Sequence, residues 1–119
     1  IDYTGDGISS SVNRETLMIG TKTDIVNTLR QHEEHLRSLG VARIGLFGSF
    51  LHGEQREDSD IDLLVEFVPG RKSFDTFMEL SFFLDEVLER RIELVTPESL
   101  SPYLAPHILQ EVEYVPLAA

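Results

Sequence analysis

Asp60 and Asp62 sit in the segment GSFLHGEQREDSDID, residues 48–62. With Glu54, Glu57 and Asp58 they set five carboxylates against one arginine, Arg56. Carboxylates this crowded raise one another's proton affinity unless a cation intervenes. In a strand, residues i and i+2 point to the same side, so Asp60 and Asp62 converge while Ile61 faces the other way. Such a pair suits Mg2+ or Mn2+, hard ions that take oxygen ligands and are commonly held by one or two carboxylates plus substrate phosphates. The competing interpretation is a solvated strand end whose acids simply face water.

Gly48 and Ser49 stand just upstream, after the β-rich run VARIGLF. Glycine permits a tight turn and close approach to a ligand. Ser49 is expected to cap a short helix whose free N–H groups favour a phosphate. Strand-to-helix turns also use Gly-Ser routinely, so the dipeptide alone is weak evidence. A third acid, Glu93, lies in RRIELV between Ile92 and Leu94. If those two face a core, Glu93 faces away from it. A strand placed beside the one carrying Asp60 and Asp62 would bring three carboxylates near a phosphate cradle. Two acids could hold metal, and the third could ligate it or accept a proton from an attacking hydroxyl. That set suits nucleotidyl transfer. A salt bridge from Glu93 to Arg90 or Arg91 is the structural alternative.

These residues need elements to hold them. Thr21 or Thr23 is an N-cap candidate for a helix ending at Gly40, with Ile25, Leu29, Leu36 and Leu39 on one face. VARIGLF and DIDLLVEF read as strands, and the second ends in VPGRK. Ser73 can cap a helix whose Phe74, Phe77, Leu80, Leu84, Val87 and Leu88 form a broad apolar face. RIELV is a third strand, and PYLAPHILQEVEYV a last short helix. The order α-β-α-β-α-β-α predicts an α/β (α+β) fold with helices packed on one small sheet. Residues 21–119 form one domain, preceded by a polar arm, residues 1–20, read as flexible or left by cloning. Met18 is a candidate natural start, and a short helix near Val12–Met18 is the competing reading.

Composition narrows the function classes. The chain has 119 residues, no cysteine and a formal charge of -11. Disulfides, thiolate zinc sites and a cysteine nucleophile are therefore excluded. The acidic balance argues against direct nucleic-acid binding, which needs a basic face. No apolar run is long enough to span a bilayer, and no leader pattern points to export, so a cytoplasmic setting is expected. His32, His35 and His107 have no nearby cysteine and read as surface residues rather than zinc ligands. Arg71 and Lys72 are either phosphate-steering cations or ordinary turn residues. The Phe74–Phe83 group reads as core, with an oligomer or partner interface as the alternative.

The segment FGSFLHGEQREDSDIDLLVEF resembles the Gly-Ser, ten-residue spacer, Asp-x-Asp signature of the minimal nucleotidyltransferases, in the superfamily that includes DNA polymerase beta. The similarity continues through RIELVTPESL to ILQEVEYV. The resemblance implies a small mixed sheet, with Gly48 and Ser49 on the triphosphate, Asp60 and Asp62 on magnesium, and Glu93 as third catalytic and metal-binding acid. Many relatives have arginine where His52 stands, and Arg56 is the candidate substitute at the nucleotide. The minimal family is typically paired with a helical HEPN protein, a ribonuclease toxin. Its nucleotidyltransferase partner is the antitoxin, adding AMP from ATP to a toxin tyrosine. That is the expected activity. The alternatives are a small-molecule nucleotidyltransferase whose acceptor pocket comes from a dimer, and a non-catalytic antitoxin that acts by binding.

Overall fold

Thr21 begins the first helix with a reciprocal cap. Its hydroxyl accepts the Asp24 N–H, and the Asp24 carboxylate accepts the Thr21 N–H at 3.1 Å. The computed structural model describes residues 20–117. Most of the expected N-terminal arm, and the helix considered near Val12–Met18, therefore lie outside the described residues. Helix α1 (Lys22–Gln31) buries Ile25 and Leu29. The single helix expected up to Gly40 is in fact two. The His32 N–H bonds the Leu29 carbonyl in a tightened last turn, and α2 (Glu33–Ser38) resumes beyond it. His32 and His35 pack on the Phe83 ring, with centroids 5.3 and 4.3 Å apart. Gly40 stops the helical run as expected, at φ +90°.

The sheet has the strand order β3-β2-β1-β4. At its centre β1 (Val41–Phe47) runs antiparallel to β2 (Ile61–Phe67). Strand β3 (Ile92–Val95) lies parallel to β2 on the outer edge, so the sheet is mixed. Glu93 is consequently exposed on an edge strand, not enclosed in a central one. The far edge carries a strand absent from the expected order. Helix α5 (Ala105–Glu111) ends at Val112, and β4 (Glu113–Tyr114) pairs with β1. Its partners are distant in sequence. Arg43 stacks over the Tyr114 ring at 3.9 Å, the Tyr114 hydroxyl donates to Glu66 at 2.7 Å, and Lys22 pairs with Glu113 at 2.8 Å.

The alternation of the strands divides the sheet into two faces. Ile44, Leu46, Ile61, Leu63 and Val65 join the core with Ile25, Leu29, Leu36, Leu80, Leu84 and Leu88. The opposite face carries Phe47, Asp62 and Glu93 in one cross-strand row. Leu64 is also fully buried, as the near-continuous apolar run of β2 suggests.

Helix α4 (Phe74–Leu88) starts at the Ser73 cap, completed by Thr76. Leu80, Leu84 and Leu88 are buried, and Phe77 and Val87 pack partly against the core. Phe74 departs from the expected apolar face and is 77% exposed. It is the first residue of the helix, one turn ahead of the first core contact at Phe77. Arg71 and Lys72 serve the scaffold: Arg71 donates to the Ser38 carbonyl at 2.8 Å and Lys72 pairs with Glu98 at 3.1 Å. Among the described residues, no helix is long and apolar enough to cross a membrane.

The burial pattern separates two apolar residues of α4. Leu84→Ala, fully buried, should lower unfolding free energy by about 2–5 kcal/mol. Phe82→Ala, at an exposed position, should stay within about 0.5 kcal/mol of wild type. Urea denaturation of both variants checks the assignment, and equal losses would contradict it.

Candidate active site

The site forms where β1 ends and the sheet face opens. Gly48 follows Phe47 and adopts φ +80°, a left-handed conformation that favours glycine. A Cβ at this position would lie 2.1 Å from Asp62 Oδ2, so the missing side chain leaves room for that carboxylate. Gly48, not Ser49, is the N-cap of the short helix α3 (Ser49–His52). Ser49 is its first helical residue and makes no capping hydrogen bond, which corrects the expected cap. Phe50 anchors α3 in the core, and Gly53 ends it at φ +72°.

A polar loop then leads to β2. Arg90, at the end of the α4 connection, ties this loop down. Its guanidinium donates to the carbonyls of Arg56 at 2.8 Å and Glu57 at 2.9 Å, and stacks 4.9 Å over the Phe50 ring. The Ser59 hydroxyl accepts the Arg56 N–H at 2.8 Å. These bonds fix the approach to Asp60, which immediately precedes β2. The Arg56 side chain is exposed and forms no ion pair among the described residues.

The parallel register sets Asp62 directly opposite Glu93. Burial pushes the Asp62 carboxyl up to about 6, with Glu93 the next cause, then Asp60 and Glu111. Glu93 raises it both by its charge and as a hydrogen-bond partner. Asp60 has a different neighbour. Arg91 Nε donates to Asp60 Oδ1 at 2.8 Å, and both side chains are substantially exposed. The expected alternative, an Arg91 pair with Glu93, is replaced by this one. Residues 91 and 93 share a strand face, but Arg91 precedes the strand and turns back to the Asp60 end.

Glu111 was not singled out from the sequence. Its carboxylate accepts the Gly48 N–H at 3.3 Å and meets His52 Nε2 at 3.1 Å. The His52 hydrogen bond is the main influence lowering its proton affinity, followed by the Gly48 amide among the favourable contacts. No local motif marks Glu111, because its partners lie about sixty residues away in the chain.

The donor set fits a hard divalent cation. Asp60, Asp62 and Glu93 offer only oxygen ligands, and Asp62 stands among like charges that a cation would relieve. Among the described residues, no three histidine, aspartate or glutamate side chains stand gathered to hold a metal. Arg91 instead engages Asp60 Oδ1.

Comparison with known proteins follows the same residues. A family model described as a nucleotidyltransferase domain matches residues 29–115. Protein adenylyltransferase MntA of Thermococcus cleftensis is 42% identical over 98 residues, spanning 80% of this chain and 96% of that protein. A solved structure assigned as a minimal nucleotidyltransferase is 36% identical, with a TM-score of 0.62 over 77% of this chain and 95% of that one. A toxin–antitoxin crystal structure with AMP-PNP gives a TM-score of 0.62 at 25% identity, over 78% of this chain and 73% of that one.

The elevated Asp62 carboxyl has a stability consequence of definite sign. The folded state holds a proton that an unfolded aspartate has already released, so the contribution is present below about pH 4 and lost as pH rises through about 6. Asp62→Asn removes that loss. Its melting temperature relative to wild type should rise more at about pH 7.5 than at about pH 4, measured without divalent metal. The same difference at both pH values would show that Asp62 titrates normally.

Proposed function

Because the chain belongs to the nucleotidyltransferase-domain family, among the minimal nucleotidyltransferases, and is an enzyme of that class, we propose that it transfers AMP from ATP to a protein hydroxyl. The observation that carries the assignment of the site is the Asp62–Glu93 register pair beside the glycine turn at Gly48. In this reading residues 21–119 form one catalytic domain. Gly48 and Ser49 hold the triphosphate, and the exposed Arg56 supplies a mobile positive charge near it.

Asp60, Asp62 and Glu93 would hold Mg2+ or Mn2+, with Asp60 released by Arg91. Such an ion, when bound, offsets triphosphate charge and helps an acceptor hydroxyl ionise. The chain's own groups orient the reactants. The Gly48 amide and Ser49 hydroxyl donate to phosphate oxygens. The acceptor oxygen bonds to the α-phosphorus, the bond from that phosphorus to the β-phosphate oxygen breaks, and pyrophosphate leaves. Glu93 accepts the hydroxyl proton. Its exposure at the sheet edge lets an acceptor approach from outside. A tyrosine hydroxyl ionises near pH 10, so a positioned base matters at neutral pH.

A protein acceptor agrees with the surface beside the site. Tyr103, Leu104 and Leu109 are exposed apolar residues on the segment that leads to Glu111. The relative named protein adenylyltransferase and the structural neighbour named a toxin–antitoxin support a protein acceptor within a toxin–antitoxin pair, read here as a tyrosine of a HEPN toxin. ATP as donor fits a cytoplasmic setting.

Asp60→Asn and Asp62→Asn should abolish transfer while the fold persists. Glu93→Gln keeps shape but cannot take the proton, so transfer should fall at least about tenfold while nucleotide still binds. The check is mass spectrometry of a cognate HEPN protein, incubated with each variant, ATP and magnesium, for added AMP. Full activity in both aspartate variants would overturn the site. Wild-type failure on the protein, with transfer to a small hydroxyl compound, would move the acceptor class.

A further inference from the structure

The carboxylate of Glu111 rests on two groups of the 48–52 segment. One oxygen takes the Gly48 N–H at 3.3 Å and the other lies 3.1 Å from His52 Nε2. Glu111 is held below the ordinary glutamate range, chiefly by the His52 contact, so it is ionised and can only accept. His52 Nε2 must therefore carry the hydrogen and donate. Two donors from different parts of the 48–52 segment thus converge on one tethered anion. That anion also adds to the negative charge acting on Asp62.

We propose that Gly48 N–H and His52 Nε2 form a donor pair for a triphosphate oxygen, and that Glu111 occupies it as a tethered competitor until nucleotide displaces it. This rests on the triphosphate assignment made above and adds two residues to it: His52 as a phosphate contact and Glu111 as the gate. The exchange is chemically even, since one oxyanion replaces another on the same donors. Both side chains retain solvent exposure, 48% for His52 and 34% for Glu111, so the contact can open without disturbing the core. Glu111 is the last residue of α5, and the following Val112 packs over Gly45, where a Cβ would meet it at 2.6 Å. The carboxylate can therefore leave its donors by side-chain rotation while Val112 keeps the helix end in place.

The two residues should act in opposite directions. Calorimetry of the full chain with ATP and magnesium, and separately with inorganic tripolyphosphate, measures each variant. Glu111→Gln keeps the length and removes the charge, and should tighten binding about two- to fivefold, the range expected for freeing a partly exposed pair. His52→Ala should weaken binding by a similar factor. In the His52→Ala background the gain from Glu111→Gln should shrink, because the two act on a shared contact. Glu54→Gln removes the same charge from the neighbouring loop without touching either donor, and should gain less.

Several results would overturn the gate. These are no tighter binding by Glu111→Gln, a gain no larger than that of Glu54→Gln, or an undiminished gain without His52. If wild type still binds and Asp62→Asn impairs transfer, any of these leaves the catalytic assignment standing. If wild type and every variant bind no triphosphate, the gate and the triphosphate site both fail. A melting temperature for each variant verifies that it is folded.

Discussion

Asp62 and Glu93 face each other across two parallel strands, and the Asp62 carboxyl is pushed up by its burial and then by Glu93. The molecule is built to keep that unfavourable pair. The register depends on β2, whose Ile61, Leu63 and Val65 are fully buried against the helices. A slip of one residue would turn Asp62 into the core and Leu63 onto the open face. The apolar pattern of β2 thus fixes where the acids stand. Burying leucines on one face maintains charge repulsion on the other, and the core supplies the free energy that tolerates it.

The remaining charges near the pair are arranged around this constraint. Arg90 holds loop carbonyls and stacks on Phe50. Arg91 neutralises Asp60, the acid nearest the loop. Glu111 neutralises nothing in the acid row and instead takes the hydrogen-bond donors at Gly48 and His52. Asp60, Gly48 and His52 therefore each have a resident partner in the protein alone, whereas Asp62 and Glu93 do not. Those two face each other, which is the least favourable pairing at the site. Arg91 and Glu111 lie at the surface, where ion pairs are weak and readily exchanged.

Much of this was legible in the sequence, for physical reasons that differ by residue. Thr21 and Ser73 carry local capping chemistry, and both caps form. The alternation of Ile61, Asp62 and Leu63 states which face each residue takes, and placing RIELV beside β2 brings Glu93 opposite Asp62 as expected. What the sequence hid is non-local or marginal in energy. Strand β4 is two residues long and owes its pairing to Arg43, Glu66 and Lys22, none of which a window around EYV contains. The break at His32 is a small change in one turn, favoured by packing on Phe83. Glu111 is one glutamate among many until α5 delivers it to Gly48. Arg91 was weighed against Glu93, its strand neighbour, when the loop had put Asp60 within reach.

The position of β3 carries the consequence furthest. An edge strand leaves the outer side of Glu93 uncovered, and α4, which joins β2 to β3, packs on the opposite face of the sheet. Under the proposed function, a protein acceptor would meet Glu93 from this uncovered side. The exposed Tyr103, Leu104 and Leu109 provide apolar area for such a contact on the segment that ends at Glu111. That segment holds both this area and the carboxylate on the Gly48 and His52 donors, so contact there and the proposed nucleotide entry would bear on the same short helix. Two contacts on one helix couple only if each alters its position or mobility, and the hold of Glu111 on its two donors is one link between them.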